Sequence, residues 1–147
     1  MTPADAMGHA VAAVAAGLRK DREGLGVLLN MTPDDAVDVA GGMVDLVGTL
    51  ARIVGDREDR TPTEAITAAA AGRSDLVQKM ASFAIGVINS DPTRSTTVDA
   101  SDVIVGLGAL AGRLAEQVAE YEGESPLELL GRIGTGVAEL EAFEPPE

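Results

Sequence analysis

The chain has 147 residues, 24 acidic against 11 basic side chains, a formal net charge of −13 and no cysteine. That balance argues against a nucleic-acid binder, whose affinity rests on Lys and Arg neutralising phosphates, and against an anionic membrane surface; the missing cysteine removes disulfide and thiolate chemistry. Hydrophobic residues make up 46% of the chain but aromatics only 2%, so a core must come from Ala, Val, Leu, Ile and Met, with Phe83, Phe143 and Tyr121 as the only rings.

The length fits one domain over residues 1–147. The first segment, 1–31, reads as a helix and a linker. Thr2-Pro3-Ala4-Asp5 opens it, and Met7, Val11, Val14 and Leu18 form one apolar stripe. The apolar stretch here is preceded by Asp5 and followed by Arg19-Lys20, the reverse of a signal peptide. No apolar run is long enough for a membrane span, and a cytoplasmic location is the default expectation. The residue usage resembles that of high-GC bacterial or phage proteins.

The pattern hydroxyl-Pro-x-acid recurs at Thr32-Pro33-Asp34-Asp35, Thr61-Pro62-Thr63-Glu64 and Ser125-Pro126-Leu127-Glu128. Each puts a hydroxyl at the N-cap, proline at the first helical position and an acid where it can reach back to the cap N–H. Thr96-Thr97-Val98-Asp99 repeats the pattern without proline. The helix from Pro33 to about Val54 carries two adjacent stripes: Ala36, Val39, Met43, Leu46, Leu50 and Ile53, and Val37, Ala40, Val44, Val47, Ala51 and Val54. Two stripes cover about half the circumference, which predicts a central helix. After a stop at Gly72, Leu76, Met80, Phe83 and Val87 mark another helix. Val103, Leu107, Leu110, Leu114 and Val118 mark a long one, and Leu130, Ile133, Val137 and Leu140 the last. No stretch alternates with period two, and the tail 141–147, ending Glu144-Pro145-Pro146-Glu147, is expected to fray.

A shift of 64 positions lays residues 32–76 over 96–140 without a gap. Identical pairs include Asp35/Asp99, Asp38/Asp102, Val39/Val103, Gly42/Gly106, Leu46/Leu110, Gly48/Gly112, Leu50/Leu114, Val54/Val118, Pro62/Pro126 and Gly72/Gly136. The expectation is an all-α bundle of five or six helices containing a duplicated helical hairpin, 32–90 and 96–140.

The segment Gly106-Leu107-Gly108 after Val103-Ile104-Val105 resembles the dinucleotide-binding fingerprint. The acid about 20 residues on and the second strand are missing, and Val44 stands opposite Gly108 in the other copy, so helix is the expected state. Gly131 to Gly136 lacks the lysine of a phosphate loop. His9, the only histidine, stands alone as a surface residue.

Asp34-Asp35-Ala36-Val37-Asp38 shares the spelling of the DDxxD box of isoprenoid synthases, and all-helical nucleotide pyrophosphohydrolases hold magnesium on comparable paired carboxylates. If the two long helices face each other, Asp35, Asp38, Asp99 and Asp102 could converge on one magnesium or manganese ion. The competing account is that acids in a first helical turn complement the helix dipole and cap free N–H groups. Missing catalytic residue types and excess small apolar surface point first to a non-enzymatic protein-interaction or assembly module binding a protein partner or itself, as a homo-oligomer. A magnesium-dependent phosphohydrolase and an acidic DNA mimic are the alternatives.

Overall fold

The computed structural model describes residues 2–90 and 98–143, with side chains through residue 136. Its described residues form seven helices and no strand: α1 (Pro3–Leu18), α2 (Arg22–Leu29), α3 (Pro33–Glu58), α4 (Pro62–Ala70), α5 (Asp75–Ile88), α6 (Ala100–Glu122) and α7 (Pro126–Phe143). The expected tail begins later than the sequence implied, because residues 141–143 continue α7. The expected cap at Thr96 and positions 144–147 lie outside the described residues.

The hydroxyl-proline starts act as the sequence implied. Thr2, Thr32, Thr61 and Ser125 each accept a hydrogen bond from the backbone N–H three residues on. Asp5, Glu64 and Glu128 return the bond to the cap N–H. Asp35 makes no such return arm.

One helix is additional to the five or six expected. α2 occupies what reads as linker, and it is only eight residues long with Gly24 and Gly26 inside it. Asp21 caps it by accepting from the Gly24 N–H at 2.9 Å, and Leu25 and Leu29 pack on the core edge. α6 also starts later than the Thr96 pattern suggests. Its N-cap is Asp99, whose carboxylate accepts from the Ser101 N–H at 2.8 Å.

α3 and α6 pack most extensively on each other and form the centre of the bundle. Val39, Leu46, Leu50 and Val54 of α3 are buried together with Val103, Leu110, Leu114 and Val118 of α6. The other helices wrap this pair, and glycines set how closely two of them approach. A Cβ on Gly42 would stand 2.6 Å from the Ala6 backbone carbonyl, so α1 rests directly on α3 there. A Cβ on Gly106 would stand 2.5 Å from Met80 Cγ, so there the α5 side chain of Met80 seats against α6. Farther along, Leu18 at the end of α1 reaches Gly112 of α6, and Ile88 at the end of α5 reaches Gly48 of α3.

α3 and α6 also end alike. Asp59 (φ 55°) and Gly123 (φ 68°) are both left-handed C-caps. The N–H groups of Arg60 and Glu124 then reach back to the carbonyls of Gly55 and Ala119 at 2.8 and 3.0 Å, a Schellman-type closure. Beside these ends the Arg57 guanidinium lies 5.6 Å from the centroid of the Tyr121 ring. Burial, with the neighbouring carboxylates of Glu58 and Glu120, holds the Tyr121 hydroxyl above its usual pKa.

Beyond the two turns the segments aligned at the 64-residue offset diverge. α4 stops at a left-handed Gly72, and Ser74 caps α5 by accepting from the Val77 N–H. α7 runs on through Gly136. At the 64-residue offset the counterpart of Ser74 is Ala138, a residue type with no oxygen to cap a new helix.

Candidate functional site

The four paired aspartates sit near the N-terminal ends of the two central helices, but no group of three or more His, Asp or Glu side chains is placed to hold a metal ion among the described residues. Asp35 lies in the first turn of α3, where its N–H is bound by Thr32. Asp38 is one turn on, exposed at the rim of a cleft. Asp99 is engaged as the cap of its own helix, and Asp102 faces outward in the first turn of α6. The four-carboxylate cluster is thus not assembled. With α6 beginning at Asp99 instead of Thr96, Asp99 and Asp35 take different helical positions, cap against first turn, despite matching in sequence.

The glycine-rich segments are plain helix. Gly106, Gly108 and Gly112 lie inside α6 without a break, and Gly131, Gly134 and Gly136 inside α7. Exposed His9 has its Nδ1 3.1 Å from the Asp5 carbonyl oxygen of its own helix. Of the acidic turn segments, Glu124 pairs with Arg132. In the other turn, the Thr61 backbone and hydroxyl bonds, with Arg60 close by, hold the Glu64 carboxyl below its ordinary value.

The feature the sequence did not flag is an apolar face left exposed among the described residues. Val37 and Val87 belong to stripes that read as core, yet they are 63% and 49% exposed. Both line a cleft of about 570 Å³ between the start of α3, the end of α5 and the start of α6. Phe83, Val44, Val98 and Val103 form its walls, and Asp38 and Asp45 its polar rim, with no Lys or Arg among the described lining residues. A second groove continues from Val37 past Ala36 and Met31 to Val105, which is 51% exposed. The signal was present in the sequence as stripe length: Val37 begins its stripe and Val87 ends its own, one turn beyond where a neighbouring helix covers them.

A second cavity of about 330 Å³, adjoining that groove at Leu29, Ile104 and Val105, opens between α1, α2 and α6, walled by Val14, Leu18, Leu25, Leu29 and Ile104, with Arg73 and Arg113 also lining it. No helix is long and apolar enough to cross a membrane among the described residues. Compared with family models, with curated proteins and with solved structures, the chain matches none of them.

Proposed function

We propose that this chain is a non-enzymatic helical interaction module that self-associates through the face around Val37, Val87 and Val105. The supporting observation is the pair of apolar stripes that run past their intramolecular partners and end as exposed valines around one cleft. Contiguous apolar surface of this kind is a normal mark of a protein interface. A second copy is the occupant that needs least: a two-fold contact buries the same patch on both partners, and the patch is apolar at its centre.

We also read α3–α4 and α6–α7 as two copies of one ancestral unit. Support comes from features matched at the 64-residue offset: the close-approach glycines Gly42 and Gly106, the looser Gly48 and Gly112, and the left-handed caps Asp59 and Gly123. A protein made of two such units already uses near-symmetric helix pairing inside one chain, and the proposed dimer extends it to two.

Electrostatics set the sign of a test. Asp38 and Asp45 line the cleft, and the whole chain carries −13, so association works against like-charge repulsion that salt screens. Sedimentation velocity across micromolar concentrations is expected to show a dimer that strengthens as salt is raised. Val37→Asp with Val87→Asp, both at exposed positions, abolishes it without altering the circular dichroism melt. A monomer at every concentration and salt level overturns the reading.

A further inference from the structure

We propose that the second cavity, between α1, α2 and α6, binds a straight-chain aliphatic carboxylate. Three glycines face this cavity, Gly17 of α1 and Gly108 and Gly112 of α6, and at none of them would a Cβ clash. Glycine weakens a helix relative to alanine, and at Gly42 and Gly106 a close helix crossing accounts for it. Here it does not. A Cβ on Gly108 would meet Met43 Cε at 3.7 Å and one on Gly112 would meet Leu18 Cδ2 at 3.6 Å, both ordinary contacts, and one on Gly17 would meet nothing within 4 Å. The three positions leave room unfilled by this chain, and that room is the cavity.

Its walls and mouth specify the occupant. Val14, Leu18, Leu25, Leu29 and Ile104 present hydrocarbon, which suits a methylene chain. About 330 Å³ is within the range of small-ligand sites. Among the described residues two arginines, Arg73 and Arg113, line the space together with one acid, Glu116. In a chain of −13 this is a local excess of positive charge, opposite to the acid-rimmed cleft. The Arg73 guanidinium makes no ion pair among the described residues, and Arg113 meets Glu116 only at 4.0 Å, with both half exposed. Planar guanidinium groups recognise carboxylates through paired N–H bonds. α2 closes one side, and none of its residues is fully buried, so it can part from the bundle to admit a chain.

The test is a ¹⁵N-resolved NMR titration of the full chain with decanoate below its micelle concentration, with decanol and decyltrimethylammonium as controls. Saturable one-to-one binding is expected, with the shifts at Gly17, Gly108, Gly112 and α2. Decanol binds about tenfold more weakly, as does decanoate to Arg73→Gln with Arg113→Gln, the loss expected for one charge-assisted contact. Gly17→Leu, which fills open space, removes binding and leaves the dimer of the Val37 face unchanged. The proposal is overturned by the absence of saturable decanoate binding, by equal affinity for the three probes, or by shifts confined to the Val37 cleft. Should Gly17→Leu not fold, the arginine pair decides alone.

Discussion

Replacing Gly42 by alanine tests the packing where α1 lies backbone to backbone on α3. The new Cβ would lie 2.6 Å from the carbonyl carbon and oxygen of Ala6 and 2.9 Å from the Met7 nitrogen. All three are backbone atoms, so no rotamer change relieves the contact, and α1 must retreat by roughly an ångström to reach van der Waals separation. Overpacking of a filled core costs about 1–3 kcal/mol, and a rigid backbone neighbour places this case towards the upper end. Alanine returns up to about 1 kcal/mol of helix propensity. The net loss is about 1–2 kcal/mol, which for a chain of this length lowers Tm by roughly 2–8 °C. Gly112→Ala serves as the internal control, because its methyl would meet only the Leu18 side chain at 3.6 Å. It gains up to about 1 kcal/mol from the same propensity term. Urea unfolding followed by circular dichroism reads both. An unchanged or stabilised Gly42→Ala, or a Gly112→Ala as damaging as Gly42→Ala, would refute the reasoning that α1 and α3 touch backbone to backbone.

Local geometry sets three further outcomes. Asp59 holds a left-handed conformation, so Asp59→Gly is expected to stabilise by about 0.5–1 kcal/mol, whereas Gly123→Ala, at its counterpart, loses about 1 kcal/mol or more; thermal melts compare the two. Ser74→Ala removes the cap of α5 and costs about 1 kcal/mol in urea unfolding. Glu64 has its pKa lowered from 4.5 in the folded chain, first by the Thr61 N–H bond. Its contribution is therefore complete above that value and lost as pH falls through the lowered one. The stability margin of wild type over Glu64→Gln should shrink between about pH 5 and 3 in acid titrations, and a margin that grows on acidification contradicts the assigned bond.

The boundaries of most helices were legible because a hydroxyl, a proline and an acid sit together in the sequence at Thr2, Thr32, Thr61 and Ser125, and local bonds made by adjacent residues need no tertiary information. α2 was hidden for the opposite reason. Two glycines in eight residues weaken its own preference, and it is held by packing against α1, with Leu25 and Leu29 on the core edge. The start of α6 was displaced because Thr96 and Asp99 are both competent caps, and spacing alone does not choose between them. The stripes located the core, but they carry no information about which of their ends lacks a neighbour, and Val37 and Val87 are such ends. The aspartate pairs matched in sequence, yet matching fixes residue type and not convergence: Asp99 is spent on its own helix. Likewise Gly42 and Gly106 have one explanation and Gly108 and Gly112 another, and only the facing helix separates them.

Self-association through the Val37 face is tested most directly by cross-linking, for which a chain without cysteine is well suited. Val37→Cys should form a disulfide-linked dimer under mild oxidation, while Ala68→Cys, exposed on α4, stays monomeric under the same conditions. Equal and slow cross-linking at the two positions would contradict a two-fold contact centred on Val37.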